Sequence, residues 1–171
     1  VRQLIVMLAQ RAQIDGLTGL WNHTYFRQRL EEEIAAARRH NTPLSLIICD
    51  LDRFKSVNDT LGHPFGDHVL EIFSQLLADG RIDDVPCRYG GEEFALILPS
   101  TTVDEAEQVA ERFRTRTKSL QWDKHHQLTI TASFGVTDLL HAGEPTVEAM
   151  IATADEALYA AKQDGRDRVR R

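Results

Sequence analysis

Two consecutive glycines between two strand-like runs constrain this chain of 171 residues more than any other feature of its sequence. Gly90-Gly91 follow residues 86–89, and Glu92-Glu93 then lead into the apolar run 94–98. Glycine permits a tight turn and a close approach of the backbone to a ligand, so the pattern predicts a β-hairpin. Two carboxylates on such a turn can hold a hard cation, although this turn by itself is more often an ordinary solvated hairpin.

A second acidic cluster changes the balance between these two interpretations. Asp50-Leu51-Asp52 ends the apolar run 44–49, which lacks polar alternation and therefore predicts a strand buried on both faces. If that strand and the hairpin are neighbours in one sheet, Asp50 lies beside Glu92. Such a pair suits Mg²⁺ in phosphoryl or nucleotidyl transfer, with the Leu51 carbonyl as a neutral extra ligand. The alternative is that Asp50 and Asp52 only terminate a strand and cap the next helix.

Composition narrows the possible classes of protein. A hydrophobic fraction of 42% and a charged fraction of 27% are typical of one soluble domain, and a net charge of -6 argues against binding a nucleic acid polymer. Cys49 and Cys87 lie in strand-like runs without metal-ligand spacing, so we expect reduced core thiols and a cytoplasmic domain. No apolar run reaches membrane-spanning length, although the full-length protein could be membrane-anchored.

The periodicity of apolar residues predicts the order of the elements. A helical pattern over residues 1–14 indicates a signalling or linker helix of a longer protein with an upstream sensory domain, followed by one domain over residues 15–171. We expect helix, strand, helix, hairpin, helix, strand, helix. This order predicts an α+β fold with a βαββαβ ferredoxin-like, nucleotidyl-cyclase-type core, in which helices cover one mainly antiparallel sheet. The patterns also predict a turn at residues 62–66, and a strand at 128–136 with one polar face.

Several ordered motifs resemble the GGDEF family of diguanylate cyclases. The resemblance begins at residues 15–20 and runs to residues 154–162 and Gly165-Arg166, so it covers nearly the whole chain. It is carried by residues 50–59, Gly62-His63, Gly66-Asp67 and residues 88–94. Small departures occur at Asn22-His23-Thr24 and at Ser56, outside the metal and guanine positions.

The resemblance implies an enzyme that condenses two GTP molecules into cyclic di-GMP and pyrophosphate, with two domains facing each other as a homodimer. It implies Mg²⁺, or Mn²⁺ as an alternative, as the cofactor. By position, the metal ligands are Asp50, the Leu51 carbonyl, Glu92 and Glu93, and the last two are also the catalytic candidates. The implied GTP-binding residues are Asn58 and Asp67 for guanine, and the backbone at Arg53 and Phe54 with Lys55, Lys162 and Arg166 for the phosphates.

The resemblance also implies a product-inhibition site for cyclic di-GMP. Arg81 and Asp84 fit the Arg-x-x-Asp pattern before the hairpin, and Arg112 is a secondary contact. The planar guanidinium of Arg can donate two hydrogen bonds to a guanine edge or a phosphate, and the carboxylate of Asp can accept from a guanine edge. Two other classes stay open: a catalytically silent receptor for GTP or cyclic di-GMP, and a purely structural dimerisation module. The intact turn and carboxylates favour the enzyme.

Overall fold

The computed structural model describes residues 13–122 and 128–171. The helix predicted for residues 1–14 therefore lies almost entirely outside the described residues. The described helices are α1 (His23–His40), α2 (Phe54–Leu61), α3 (His63–Ala78), α4 (Val103–Ser119) and α5 (Val147–Gln163). The strands are β1 (Leu44–Leu51), β2 (Val85–Arg88), β3 (Glu93–Pro99), β4 (Ala132–Asp138) and β5 (Val169–Arg170).

The five strands form one sheet in the order β2-β3-β1-β4-β5. The central strand β1 runs antiparallel to both β3 and β4, whereas the short β5 pairs in parallel with β4. The α+β prediction, with one mainly antiparallel sheet and a hairpin next to the first strand, is confirmed. The two-residue strand β5 was not predicted, because two residues are too few to show a period.

Alternate side chains of β1 enter two separate cores. Ile47 and Cys49 pack in the core beneath α3 and α4, whereas Leu46 and Ile48 pack in the core beneath α1 and α5. All eight residues of the strand are buried, as expected for a strand covered by helices on both faces. Both cysteines are free and buried, which confirms the prediction of reduced core thiols, and burial raises the pKa of the Cys87 thiol to about 12.

The helix ends follow the capping signals in the sequence. The Asn22 side chain accepts a hydrogen bond from the Tyr25 amide at the start of α1, which ends at Asn41 in the left-handed conformation with φ of 52°. Thr102 and Glu105 form the predicted reciprocal capping box at the start of α4. None of the helices in the described part of the chain is long and apolar enough to cross a bilayer.

Two local predictions are wrong. Residues 63–66 begin α3 rather than forming a turn, because Pro64 occupies the first helical turn, where a missing N–H group breaks no helical hydrogen bond. The strand predicted from Leu128 begins only at Ala132, and both of its faces are buried. The expected polar face is covered by α5, which packs so closely that a Cβ on Gly135 would lie 2.1 Å from the Ala154 carbonyl oxygen.

Candidate active site

The end of β1 and the hairpin turn meet at one edge of the sheet. Asp50 lies opposite Glu93 in the β1–β3 register, and the Leu51 amide donates to the Glu92 carbonyl at 3.5 Å. The side chain of Asp50 is almost buried, and its Oδ2 accepts a hydrogen bond from Lys162 Nζ of α5 at 2.5 Å. The structure thus brings both predicted acidic segments together and adds one cation.

The carboxylates of Asp50 and Glu92 place negative charges close together in a partly buried site. Burial raises the pKa of Asp50, Lys162 opposes this shift, and the charges of Glu93 and Asp52 reinforce it. Burial likewise raises the pKa of Glu92, where the Asp50 charge reinforces the shift and Lys162 opposes it. A cation between the carboxylates would relieve this repulsion.

The donors at this edge of the sheet are hard oxygens. Within residues 13–122 and 128–171, no group of three or more His, Cys, Asp or Glu side chains converges as a metal site. Asp50, Glu92 and the Leu51 carbonyl would supply a few oxygens to a divalent cation and leave positions for water and phosphate. The Glu93 carboxylate instead folds back towards Gly90, where an added Cβ would lie 3.0 Å from Glu93 Oε2.

Arg88 holds the Gly-Gly turn in place. Its Nε donates to the carbonyls of Gly90 and Gly91, both at 3.2 Å, and its Nη2 donates to Gly91 at 2.8 Å. Its Nη1 binds both carboxylate oxygens of Asp15 at 3.0 and 3.2 Å, and Asp15 also accepts from Thr18. The turn that carries Glu92 is therefore anchored to residues 15–20, a role that sequence reasoning did not assign.

Asp52 anchors the end of β1 rather than capping α2. Its carboxylate accepts from Thr131 Oγ1 at 2.7 Å, Ser133 Oγ at 2.6 Å and the Asp167 amide at 3.0 Å. The residue before α2 is Arg53, which is left-handed with φ of 54° and makes no capping hydrogen bond through its side chain. The alternative that Asp52 caps the next helix is therefore wrong.

The predicted phosphate-binding residues are divided over three neighbouring places. Arg53 and Arg166 line one cavity beside the end of β1, and both are exposed. Phe54 and Lys55 begin α2, whose first amides lack a side-chain cap and can face an anion. Lys162 instead contacts Asp50, at the metal site.

The two predicted guanine-binding residues lie on adjacent helices. Asn58 projects from α2 against Gly66 of α3. Asp67, which follows Gly66 in the sequence, is exposed. The Oδ1 atom of Asn58 is buried and has no hydrogen-bond partner among the described residues. The structure therefore places an amide and a carboxylate at the junction of α2 and α3.

Comparison with known proteins shows the family to which the chain belongs. A family model described as "Diguanylate cyclase, GGDEF domain" matches residues 12–168. The chain belongs to the GGDEF family. It is 41% identical over 162 residues to the response regulator PleD of Caulobacter vibrioides, which covers 92% of this chain and 36% of PleD. It is 40% identical over 157 residues to the diguanylate cyclase DosC of Escherichia coli, which covers 91% of this chain and 34% of DosC.

Solved structures of GGDEF domains share the fold over nearly the whole chain. The GGDEF domain of DgcB from Caulobacter crescentus, in complex with c-di-GMP, superposes with a TM-score of 0.86 at 32% identity, covering 93% of this chain and 92% of that one. The active GGEEF domain of a diguanylate cyclase from Vibrio cholerae gives a TM-score of 0.81 at 34% identity, covering 86% and 94%. The chain spans only about a third of the length of PleD and DosC, at 36% and 34%.

Two candidate inhibitory residues of this GGDEF domain, Arg81 and Asp84, lie before β2, and the third, Arg112, lies on α4. Arg81 Nη2 and Nε bind Asp84 Oδ1 at 3.2 and 3.3 Å, and the Arg81 guanidinium also donates to Thr101 Oγ1. The Asp84 side chain is buried, whereas that of Arg81 is 54% exposed. Arg112 lies over the Phe113 ring on α4, and no hydrogen bond or ion pair within the described residues connects it to Arg81. Sequence reasoning did not single out Thr101.

Proposed function

We propose that this GGDEF domain condenses two molecules of GTP into cyclic di-GMP and releases two of pyrophosphate. The observation that carries the proposal is the half-buried Asp50–Glu92 carboxylate pair with Lys162, set at a sheet edge in a family whose relatives include named diguanylate cyclases. One domain carries one set of metal and guanine residues, whereas the product contains two guanylate units. The reaction therefore requires a homodimer in which two loaded domains face each other.

The carboxylates hold the reacting groups and move a proton. Asp50, Glu92 and the Leu51 carbonyl would hold Mg²⁺ or Mn²⁺, and Glu93, whose carboxylate lies towards Gly90 in this structure, would support them after turning towards the ion. The bound ion would neutralise phosphate charge and lower the pKa of the attacking 3′-hydroxyl. Glu92 accepts the proton of that hydroxyl. The 3′-oxygen forms its bond to the α-phosphorus as the bond from that phosphorus to the bridging oxygen breaks, and pyrophosphate leaves.

The remaining residues orient GTP. Asn58 and Asp67 bind the guanine base, since a carboxylate accepts from its N1–H and exocyclic amine. The amides at Arg53 and Phe54 contact the phosphates, and the side chains of Lys55, Lys162 and Arg166 neutralise them. Lys162 also stabilises the ionised form of Asp50 before GTP arrives, because its ammonium group opposes the effect of burial on the Asp50 pKa.

Cyclic di-GMP inhibits the enzyme at a second site that contains Arg81, Asp84 and Arg112. This assignment is supported by the half-exposed guanidinium of Arg81, already oriented by Asp84, at the end of β2 opposite the Gly-Gly turn. An incoming guanine or phosphate can accept hydrogen bonds from the N–H groups of Arg81 that face solvent.

Incubation with GTP and Mg²⁺, followed by chromatography of the nucleotides, tests the reaction. We expect cyclic di-GMP and pyrophosphate in a ratio of one to two, and no cyclic product from ATP. The rate should rise more than linearly with protein concentration, because two loaded domains must meet. If the chain binds cyclic di-GMP but forms none at any protein concentration, it is a receptor and the proposal is wrong.

A further inference from the structure

The amide of Asn58 lies where a side chain at position 66 would otherwise be. A Cβ added to Gly66 would lie 1.8 Å from Asn58 Oδ1, 2.9 Å from its Cγ and 3.2 Å from Cζ of Phe54. No carbon and oxygen atoms that are not bonded to each other can approach within 1.8 Å, so the amide can occupy this position only because residue 66 has no side chain.

The backbone does not explain a glycine at this position. Gly66 lies inside α3, a helix that runs from His63 to Ala78, and its φ is not among the positive values of the described glycines. Glycine inside a helix is less stable than alanine, since it loses more backbone freedom on folding. The contact with Asn58 is therefore the feature of the structure that accounts for glycine here.

The buried Oδ1 atom of Asn58 has no hydrogen-bond donor among the described residues, and an N–H group of a purine can supply one. Buried acceptors in folded proteins are nearly always hydrogen-bonded, and leaving one unpaired is unfavourable. Asn58 Oδ1 is buried and has no partner in the described part of the chain. The amide turns easily about its terminal torsion, so it can accept from an N–H group that enters beside it. Guanine carries a 2-amino group of this kind, whereas hypoxanthine and adenine do not.

We propose that Gly66 is a specificity-determining position of this site, because it leaves the space in which the Asn58 amide turns to meet the 2-amino group of the purine. The inference rests on the proposed function and adds a residue that itself donates no hydrogen bond to the base. A methyl group at position 66 removes that space and pushes the amide away from α3. Discrimination between guanine and hypoxanthine then falls to what Asp67 supplies through the same amino group, while contacts to ribose and phosphates stay.

Calorimetric titration with GDP and with inosine diphosphate tests the inference without turnover. We expect the unaltered chain to bind GDP at least roughly tenfold more tightly than inosine diphosphate, a ratio to which the Asn58 and Asp67 contacts both contribute. Gly66→Ala should reduce this ratio severalfold by weakening GDP binding, while the affinity for inosine diphosphate stays nearly unchanged. Gly16→Ala is the matched control, since Gly16 is exposed and an added Cβ would meet no atom within 4 Å.

A double variant shows whether Gly66 acts through Asn58. In an Asn58→Ala background, Gly66→Ala should cause no further loss of GDP affinity, since the amide that the methyl group displaces is absent. An additive loss overturns the inference, as does a Gly66→Ala chain that prefers GDP as strongly as the unaltered chain does. If Gly66→Ala does not fold, as judged by circular dichroism, Asn58→Ala in the same chain should restore folding with a weakened preference for GDP. Folding that is not restored also overturns it.

The outcome can be separated from failure of the proposed function. If the unaltered chain neither binds GDP nor forms cyclic di-GMP, the proposed function fails. If it forms cyclic di-GMP while Gly66→Ala retains the full preference for GDP, only the role of Gly66 fails.

Discussion

At the scale of single residues, the ionised form of the Glu92 carboxyl is less stable in the folded chain than it would be in water. Burial and the nearby Asp50 raise its pKa, and Lys162 compensates only in part. A native pKa above the unfolded value means that the folded chain binds the proton more tightly. The stability that comes from this carboxyl is therefore present below the unfolded pKa and is lost as pH rises through the native pKa. At neutral pH the ionised group opposes folding.

Glu92→Gln should abolish cyclic di-GMP formation without lowering the melting temperature of the chain at pH 7. The amide keeps the shape of the side chain, but it removes a charge needed for Mg²⁺ and cannot accept the hydroxyl proton. We expect the rate to fall by at least roughly a hundredfold, as when a metal ligand or general base is lost. Glu31→Gln, at an exposed position of α1, is the control. Near-normal turnover by Glu92→Gln, measured chromatographically, would show that this carboxylate is not catalytic.

At the scale of elements, two ionic contacts join loops that are distant in sequence. Arg88 at the end of β2 binds Asp15 across 73 positions, and the loop after α5 is joined to α4 by Asp167. Asp167 binds Arg114 at 2.6 Å and Lys118 at 2.7 Å, while its own amide donates to Asp52. These contacts set the positions of the Gly-Gly turn and of the loop that carries Arg166.

Arg88→Met should slow turnover although every predicted metal ligand remains. Methionine keeps much of the apolar stem, but it loses the hydrogen bonds to Gly90, Gly91 and Asp15, so the turn carrying Glu92 becomes mobile. We expect the free energy of unfolding to fall by about 2 kcal/mol, the scale of hydrogen bonds to a charged group. Urea denaturation and initial rates measure the two effects. Arg38→Met, at an exposed position of α1, is the control. An unchanged rate would remove the positioning role.

Asp167 should make the chain sensitive to acid. Burial raises the pKa of Asp167, but the hydrogen bonds from Lys118 and Arg114 outweigh it and hold the pKa below the usual value. A depressed native pKa stabilises the fold above the unfolded pKa of about 4, and this stability is lost as pH falls through the native pKa.

Asp167→Asn should therefore be less stable than the parent at pH 7, and this difference should shrink below pH about 4, where the parent loses the same ion pairs. Melting temperatures over a pH series measure it. Asp83→Asn, at an exposed position, should follow the parent curve. A constant difference between Asp167→Asn and the parent from neutral to acidic pH would show that the ion pairs contribute nothing.

At the scale of the whole molecule, one hairpin carries the candidate catalytic and inhibitory sites at opposite ends. The Gly-Gly turn joins β2 to β3, and Arg81 and Asp84 precede the other end of β2. The strand has four residues, so it separates the two ends by about 13 Å at the usual rise per residue. A ligand at Arg81 can therefore act on the hairpin without touching the metal residues.

Arg81→Ala should relieve inhibition by cyclic di-GMP while leaving the initial rate nearly unchanged. Losing the charge-assisted contacts of Arg81 should weaken cyclic di-GMP binding roughly tenfold to a hundredfold. Titrations of cyclic di-GMP against the parent and the variant provide the measurement, with Arg38→Ala on α1 as an exposed control. Identical inhibition curves for Arg81→Ala and the parent would exclude Arg81 from the inhibitory site.

The sequence by itself determined the elements whose signals are local. Asn22 caps α1, Thr102 and Glu105 form a capping box, and the apolar run of β1 belongs to a central strand, because capping and hydrophobic burial depend on residues a few positions apart. The same reasoning brought Asp50 next to the hairpin turn, since a central strand in this order of elements has few possible neighbours.

Only the tertiary structure decided which distant groups complete the candidate site. Asp15 binds Arg88, which lies 73 positions away in the sequence. The Asp52 carboxylate accepts from the backbone amide of Asp167, which lies 115 positions away. The contact of Gly66 with Asn58 likewise depends on how two helices cross. Hydrophobic periodicity records which face of an element is buried, but not which polar group from another element meets it. Those partners are determined by the packing of the whole chain, where most buried charges and amides are paired.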